Sequence, residues 1–295
     1  MRDIAANDDL VSTLDARYGV LMCGLFNGDY IVKPLDSTVN SDSRRCHVSA
    51  DRNGITNHVK LYQSRHSSSP MAAIASNDNA LRLYDVASHT LVRETYYPFA
   101  LNGTALSPDK RQRAIVGDDF QLLITEEETG RVLQRLPGHR DYIFSCDWSD
   151  NGYHIASGSQ DMAIQIWDAR RFTDSSGRCT PLTMMKTELA GARTLRFSPN
   201  GSGTPVLVAA EEADYINIIE TRKLRYRQKL DVFSEIAGVD FADEGRDLNI
   251  LCADPHRGGL LQLQRCGRGA AGVCVPDKPW EKWNNLPDDD MPCPF

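Results

Sequence analysis

The sequence predicts an all-β chain built from a repeated four-stranded unit, the arrangement of a β-propeller, and three observations carry that prediction. An alternating apolar run ending in a polar turn recurs at residues 103–109 (GTALSPD), 145–151 (SCDWSDN), 194–200 (TLRFSPN) and 238–244 (GVDFADE). Its marker residues Ser107, Ser149, Ser198 and Ala242 are spaced 42, 49 and 44 apart, a mean of about 45, so the chain holds six or seven units. A second alternating phrase, ending in an acid, runs in step at residues 80–85 (ALRLYD), 163–168 (AIQIWD) and 215–220 (YINIIE), with weaker copies at 120–125 and 260–264. Finally, no segment keeps a helical period over a dozen residues, whereas period-2 alternation between turn clusters marks half-buried strands. Four short strands in a repeat of this length form one propeller blade, and each blade covers its neighbour's apolar face while sheet edges stay short.

The units follow in order. The first, about 10–50, has strands at 20–26, 30–35 and 46–49; its inner strand is either 10–14 or the distant segment 272–275, which would close the ring. The second, 54–97, begins with an inner strand at 55–62 and continues through 71–76 and 80–85. The third, 98–137, contains 113–116 and 120–125. Asp78 stands six residues before Tyr84, Asp118 six before Ile124 and Asp161 six before Trp167, suggesting one turn residue in three blades. The fourth, 138–185, is the most regular: Gly138-His139, an inner strand at 142–148, then 155–159, Asp161 and Trp167-Asp168. The fifth, 190–230, keeps only Glu212 and Asp214 near that turn. The sixth, 234–275, replaces it with 255–259 (PHRGG). Residues 1–275 thus read as a single propeller domain of six recognisable blades, with a seventh possible. Residues 276–295, rich in Pro and Asp and carrying Trp280 and Trp283, read as a disordered tail.

Composition narrows the function. Forty acidic against 33 basic residues leave a net charge of −7, which argues against a nucleic-acid binder that tracks phosphates with a basic face. No apolar stretch approaches the roughly 18–20 residues that cross a bilayer, and the acidic start does not read as a signal peptide. The eight cysteines form no C-x-x-C pair, and Cys23, Cys146 and Cys252 lie in apolar runs, as free thiols do in a reducing compartment. The expected location is cytoplasmic, nuclear or both. His256, Cys266 and Cys274 fit no common metal spacing, and no glycine-rich phosphate loop is present, so neither a metal nor a cofactor is expected.

On the Gly-His, Ser, Asp and Trp-Asp order of the fourth unit, the chain resembles the WD40-repeat family. Residues 234–265 further resemble the C-terminal segment of fungal WD-repeat proteins of unknown function. The resemblance implies that His139, Ser157, Asp161 and Trp167 form a structural tetrad fastening the outer strand to its blade. Residues 155–170 (IASGSQDMAIQIWDAR) also resemble the WDxR box of substrate receptors of cullin–RING ubiquitin ligases, which implies that Asp168 and Arg170 would meet the ligase adaptor. Ser157, His139 and Asp161 are also the residue types of a hydrolytic triad, but no G-x-S-x-G elbow surrounds Ser157 and nothing suggests an oxyanion hole. The expected role is a non-catalytic scaffold for protein or peptide partners.

Overall fold

A computed structural model of the chain describes residues 10–35, 43–49, 54–66, 69–201, 203–254, 256 and 258–264. The described residues are all-β apart from one short 3-10 turn at Asp243–Gly245. They fall into two compact units, one ending at Lys186 and taking in Gly191–Arg193, the other holding Thr187–Ala190 and the chain from Thr194.

The first unit contains four antiparallel sheets of four strands, each in simple chain order. These are β1 (Val11–Arg17), β2 (Val20–Leu25), β3 (Asp29–Pro34) and β4 (Arg44–His47); then β5 (Thr56–Gln63), β6 (Pro70–Ser76), β7 (Ala80–Asp85) and β8 (Thr90–Tyr96). The third sheet is β9 (Leu101–Leu106), β10 (Gln112–Gly117), β11 (Gln121–Glu126) and β12 (Val132–Pro137). The fourth is β13 (Ile143–Trp148), β14 (His154–Ser159), β15 (Ala163–Asp168) and β16 (Thr183–Lys186). The inner strand of the first sheet is therefore β1, from the 10–14 region; residues 272–275 lie outside the described residues, as does 276–295. The fourth strand is Arg44–His47 rather than 46–49, and one step beyond it the Val48 N–H still bonds the Gly28 carbonyl at 3.0 Å in the same register.

The second unit has one six-stranded sheet: β17 (Ala192–Phe197), β18 (Val206–Glu211), β19 (Ala213–Glu220), β20 (Arg227–Ala242), β21 (Asp247–Cys252) and β22 (Gly259–Leu263). Here the structure departs from the expected break between a fifth and a sixth unit. Strand β20 runs 16 residues, pairing with β19 through Arg227–Glu235 and with β21 through Ile236–Ala242. The sequence from 227 to 237 contains neither Gly nor Pro, so nothing stops the ladder. Phe233, with a positive φ of 52°, kinks the strand within its pairing to β19, and the change of partner follows between Glu235 and Ile236.

The recurring serines explain the repeat. Ser107 Oγ accepts the Gln112 N–H (2.9 Å), Ser149 Oγ the His154 N–H (2.8 Å) and Ser198 Oγ the Val206 N–H (3.0 Å). Each hydroxyl thus closes the hairpin between an inner strand and the next. At the following hairpin the chain turns the corner with Asp119, not Asp118: its carboxylate accepts the Gln121 N–H, as Asp78 accepts that of Ala80 and Asp161 that of Ala163. Strand register puts Thr125, not Ile124, in line with Tyr84 and Trp167, which moves the six-residue count by one.

Inner strands carry a β-bulge just after their first residue, in β1, β5, β9, β13 and again within β20. In three of them the extra residue is polar and reaches the first residue or its carbonyl on the next inner strand: Ser12 to Thr56, Asn57 to Leu101 and Asn102 to Ile143, across 44, 44 and 41 residues. Bulges re-aim a side chain without ending a strand, and here each becomes a pin from one sheet to the next.

Apolar faces do most of the holding. Met22, Val32, Val59, Leu61 and Ile74 fill the space between the first and second sheets. Leu81, Leu83, Leu101, Ile115 and Leu123 fill that between the second and third, and Leu122, Ile124, Ile143, Ile155 and Trp167 that between the third and fourth. In the second unit Val208, Ile216, Val239, Leu248 and Ile250 form a core of their own. Each such side chain contributes about 1.5–3 kcal/mol on burial, against about 1 kcal/mol for a single pinning hydrogen bond.

Candidate functional site

The connection from β12 to β13 brings His139 over β14. Gly138, immediately before it, has φ 148°, a conformation that favours glycine, and a Cβ there would stand 2.7 Å from Gln165 Oε1 and have to displace that amide. His139 is buried. Its Nδ1 lies 3.1 Å from Asp161 Oδ2 and its Nε2 2.8 Å from Ser157 Oγ. Asp161 also accepts the Arg140 N–H at 2.8 Å and the Ala163 N–H at 3.0 Å. One carboxylate therefore ties the connection, the imidazole and the β14–β15 turn together.

Burial pushes the His139 imidazole below its ordinary value, with Asp161 pulling the other way. The ring is neutral near pH 7. A neutral ring satisfies both contacts by donating from Nδ1 to Asp161 and accepting the Ser157 hydroxyl proton at Nε2. The hydroxyl, imidazole and carboxylate stand in triad order, yet Ser157 is 0% exposed in the middle of β14. Trp167 is brought to the same face, but its Nε1 meets no acceptor among the described residues. Its ring instead packs into the apolar layer between the third and fourth sheets, so the polar chain ends at Ser157.

Asp168 and Arg170 lie at the other end of β15 and bond each other. Arg170 Nε reaches Asp168 Oδ1 at 2.9 Å and Nη2 reaches Oδ2 at 2.8 Å, while the guanidinium lies over the Tyr153 ring, 4.5 Å from its centroid. The Arg170 side chain remains 59% exposed. Hydrogen bonding from Arg170 holds the Asp168 carboxyl below its usual range.

Sequence reasoning missed the buried charged groups of the other sheets. In the second sheet Arg82 is buried between Asp78 (2.6 Å) and Glu94 (2.7 Å). Burial alone would raise the Asp78 carboxyl, but the Arg82 guanidinium keeps it low. In the third, Arg113 pairs with Glu127 at 2.7 and 3.0 Å and lies 4.7 Å from the Tyr62 ring centroid, with the Tyr62 hydroxyl also donating to Glu127. In the second unit the fully buried Glu211 accepts the N–H groups of Glu188, Leu189 and Ala190 at 2.7–3.0 Å and the Asn217 amide at 2.9 Å. The signal was present: Arg82, Arg113 and Glu211 each put a charge inside an otherwise apolar strand.

His256 is exposed, and Cys266 and Cys274 lie outside the described residues. Among the described residues no group of three His, Cys, Asp or Glu could hold a metal, and no helix is long and apolar enough to cross a membrane.

A family profile described as WD domain, G-beta repeat matches residues 130–168. An uncharacterized protein of Schizosaccharomyces pombe is 24% identical over 216 residues, which cover 67% of this chain and 60% of that protein. A serine-threonine kinase receptor-associated protein of Dictyostelium discoideum is 28% identical over 94 residues, 32% of each chain. THO complex subunit 6 of Homo sapiens is 33% identical over 70 residues, 24% of this chain and 20% of that one. The chain thus spans about 60% or less of the length of these relatives. Among solved structures, a chain in the crystal structure of the mitotic checkpoint complex superposes with a TM-score of 0.71 at 17% identity, covering 87% of this chain and 76% of that one, which shows a shared fold.

Proposed function

Because this chain belongs to the WD40-repeat family and has its all-β propeller fold, we propose that it is a non-catalytic platform for protein or peptide partners. The observation that carries the reading is the enclosure of Ser157. A nucleophile must be reached by its substrate, and a hydroxyl with no exposed surface, in mid-strand, is not. The His139 network then serves as a staple for the β12–β13 connection. The names of two relatives, a receptor-associated protein and a complex subunit, support a role in assemblies. An acidic chain of this kind fits the cytoplasm, the nucleus or both, and neither nucleic acid nor membrane is an expected ligand. Affinity purification with mass spectrometry tests the reading: specific, saturable partners support it, and a hydrolytic activity lost in Ser157→Ala would overturn it.

A second reading rests on Arg170. Its guanidinium is held outward by Asp168 and Tyr153, an ordered cation of the kind that the WDxR resemblance assigns to a cullin–RING adaptor. Arg170→Ala would abolish adaptor co-purification while leaving the melting temperature unchanged; adaptor recovery equal to wild type would end this reading.

A further inference from the structure

On the rim of the first unit, the turn from β10 to β11 meets the connection from β12 to β13, and there two aromatic rings stack in the open. Phe120 and Tyr142 lie 6.2 Å apart at an interplanar angle of 22°, with 49% and 43% of their surfaces exposed. Two carboxylates flank them. Asn102 Nδ2 bonds both Asp118 (3.0 Å) and the carbonyl of Ile143 (3.2 Å), which places Asp118 beside the residue that follows Tyr142. Asp141 immediately precedes Tyr142 and accepts its N–H. Both acids make hydrogen bonds only to amides; among the described residues neither forms an ion pair, and Arg140 bonds neither of them.

The same chain sets a cation on an aromatic ring beside a carboxylate at three other places, two of them with arginine: Arg113 on Tyr62 with Glu127, Arg170 on Tyr153 with Asp168, and Lys229 on Tyr215 with Glu188. A planar guanidinium stacks on a ring while its edge N–H groups reach a carboxylate, and the two arginines sit closer to ring and acid (4.7 and 2.7 Å, 4.5 and 2.8 Å) than the Lys229 ammonium does (5.0 and 3.5 Å). At Phe120 and Tyr142 the ring and the acids are both presented to solvent, and no basic side chain of this chain lies over either ring among the described residues. The surface is negative and aromatic, so its complement is cationic and planar.

We infer that the Phe120–Tyr142 pair with Asp118 and Asp141 docks an arginine side chain from an extended segment of a partner protein. The inference rests on the platform reading and names the partner's chemistry. The test uses the full chain and fluorescein-labelled peptides of sequence Ala-Arg-Ala-Arg-Ala, with Lys and Gln counterparts, followed by fluorescence anisotropy at low and high salt. The arginine peptide binds wild type, more weakly at high salt, and the lysine peptide binds less well. Phe120→Ala, Tyr142→Ala and Asp118→Asn each weaken binding about 3- to 10-fold; Phe120→Tyr retains it, and remains informative should an alanine variant fail to fold. Equal binding of the glutamine peptide, or unchanged affinity in Phe120→Ala and Asp118→Asn, overturns the inference. Such a result with partners still recovered by affinity purification refutes only this docking mode, whereas no specific partner at all would refute the platform itself.

Discussion

Ser157→Ala separates a staple from a nucleophile. The substitution removes one hydroxyl from a site with no exposed surface, so no water replaces it. His139 Nε2 loses the donor at 2.8 Å and is left as a buried acceptor without a partner, at a cost of about 1–3 kcal/mol. The backbone ladder is untouched, because Ser157 pairs with Gln165 through main-chain groups. Over a folded unit of this size each kcal/mol lowers the melting temperature by roughly 2–4 °C, so the expected loss is roughly 2–12 °C. Differential scanning calorimetry of wild type and variant, beside a panel of ester and peptide substrates, reads both consequences. A melting temperature within a degree of wild type would refute the reasoning, and doubly so if a hydrolytic activity vanished with it.

Three other outcomes follow from the same geometry. The His139 imidazole has a folded value depressed below its ordinary 6.5, so protons favour the unfolded chain as pH falls from about 6.5 toward the folded value, and stability declines over that window. His154 is also depressed by burial and adds to the slope; His139→Gln should therefore reduce, not abolish, the acid loss measured by chemical denaturation between pH 7 and 5. Arg113→Ala leaves the mostly buried Glu127 without its cation and should cost about 3–5 kcal/mol, with Arg113→Met/Glu127→Leu recovering much of it; equal losses in the single and double variants, in urea melts, would contradict the pairing. Gly138→Ala places a methyl 2.7 Å from Gln165 Oε1 at a strained φ and should destabilise by about 1–3 kcal/mol, a prediction that a wild-type urea midpoint would refute.

How far the sequence spoke depended on whether a signal was local. Ser107, Ser149 and Ser198 recur because each hydroxyl closes a hairpin within a few residues of itself, and local chemistry leaves a visible period. The Gly-His, Ser and Asp of the fourth unit were legible for the same reason, being held in register by adjacent strands. The turn acid of the third unit was misplaced by one residue, since Asp118 and Asp119 are chemically alike and only strand pairing tells them apart. Strand β20 hid its double allegiance because the change of partner between Glu235 and Ile236 is set by what the two halves pair with, not by a breaker in the sequence. The ion pairs of Arg82 and Arg113 escaped notice because Glu94 and Glu127 stand 12 and 14 residues away, and Asp78, four before Arg82, read only as a turn residue, although the charge inside an apolar run already announced that something must compensate it.

The shared strand of the second unit has a consequence for engineering. Elsewhere a loop intervenes between sheets and offers a place to cut, insert or permute the chain. Between residues 227 and 242 there is no such seam: a nick would strip hydrogen bonds from β19 or β21 and cut the one strand that joins the two ladders. The last two repeats should consequently melt as one cooperative block, resist proteolysis in the stretch where a linker was expected, and tolerate new termini only outside it.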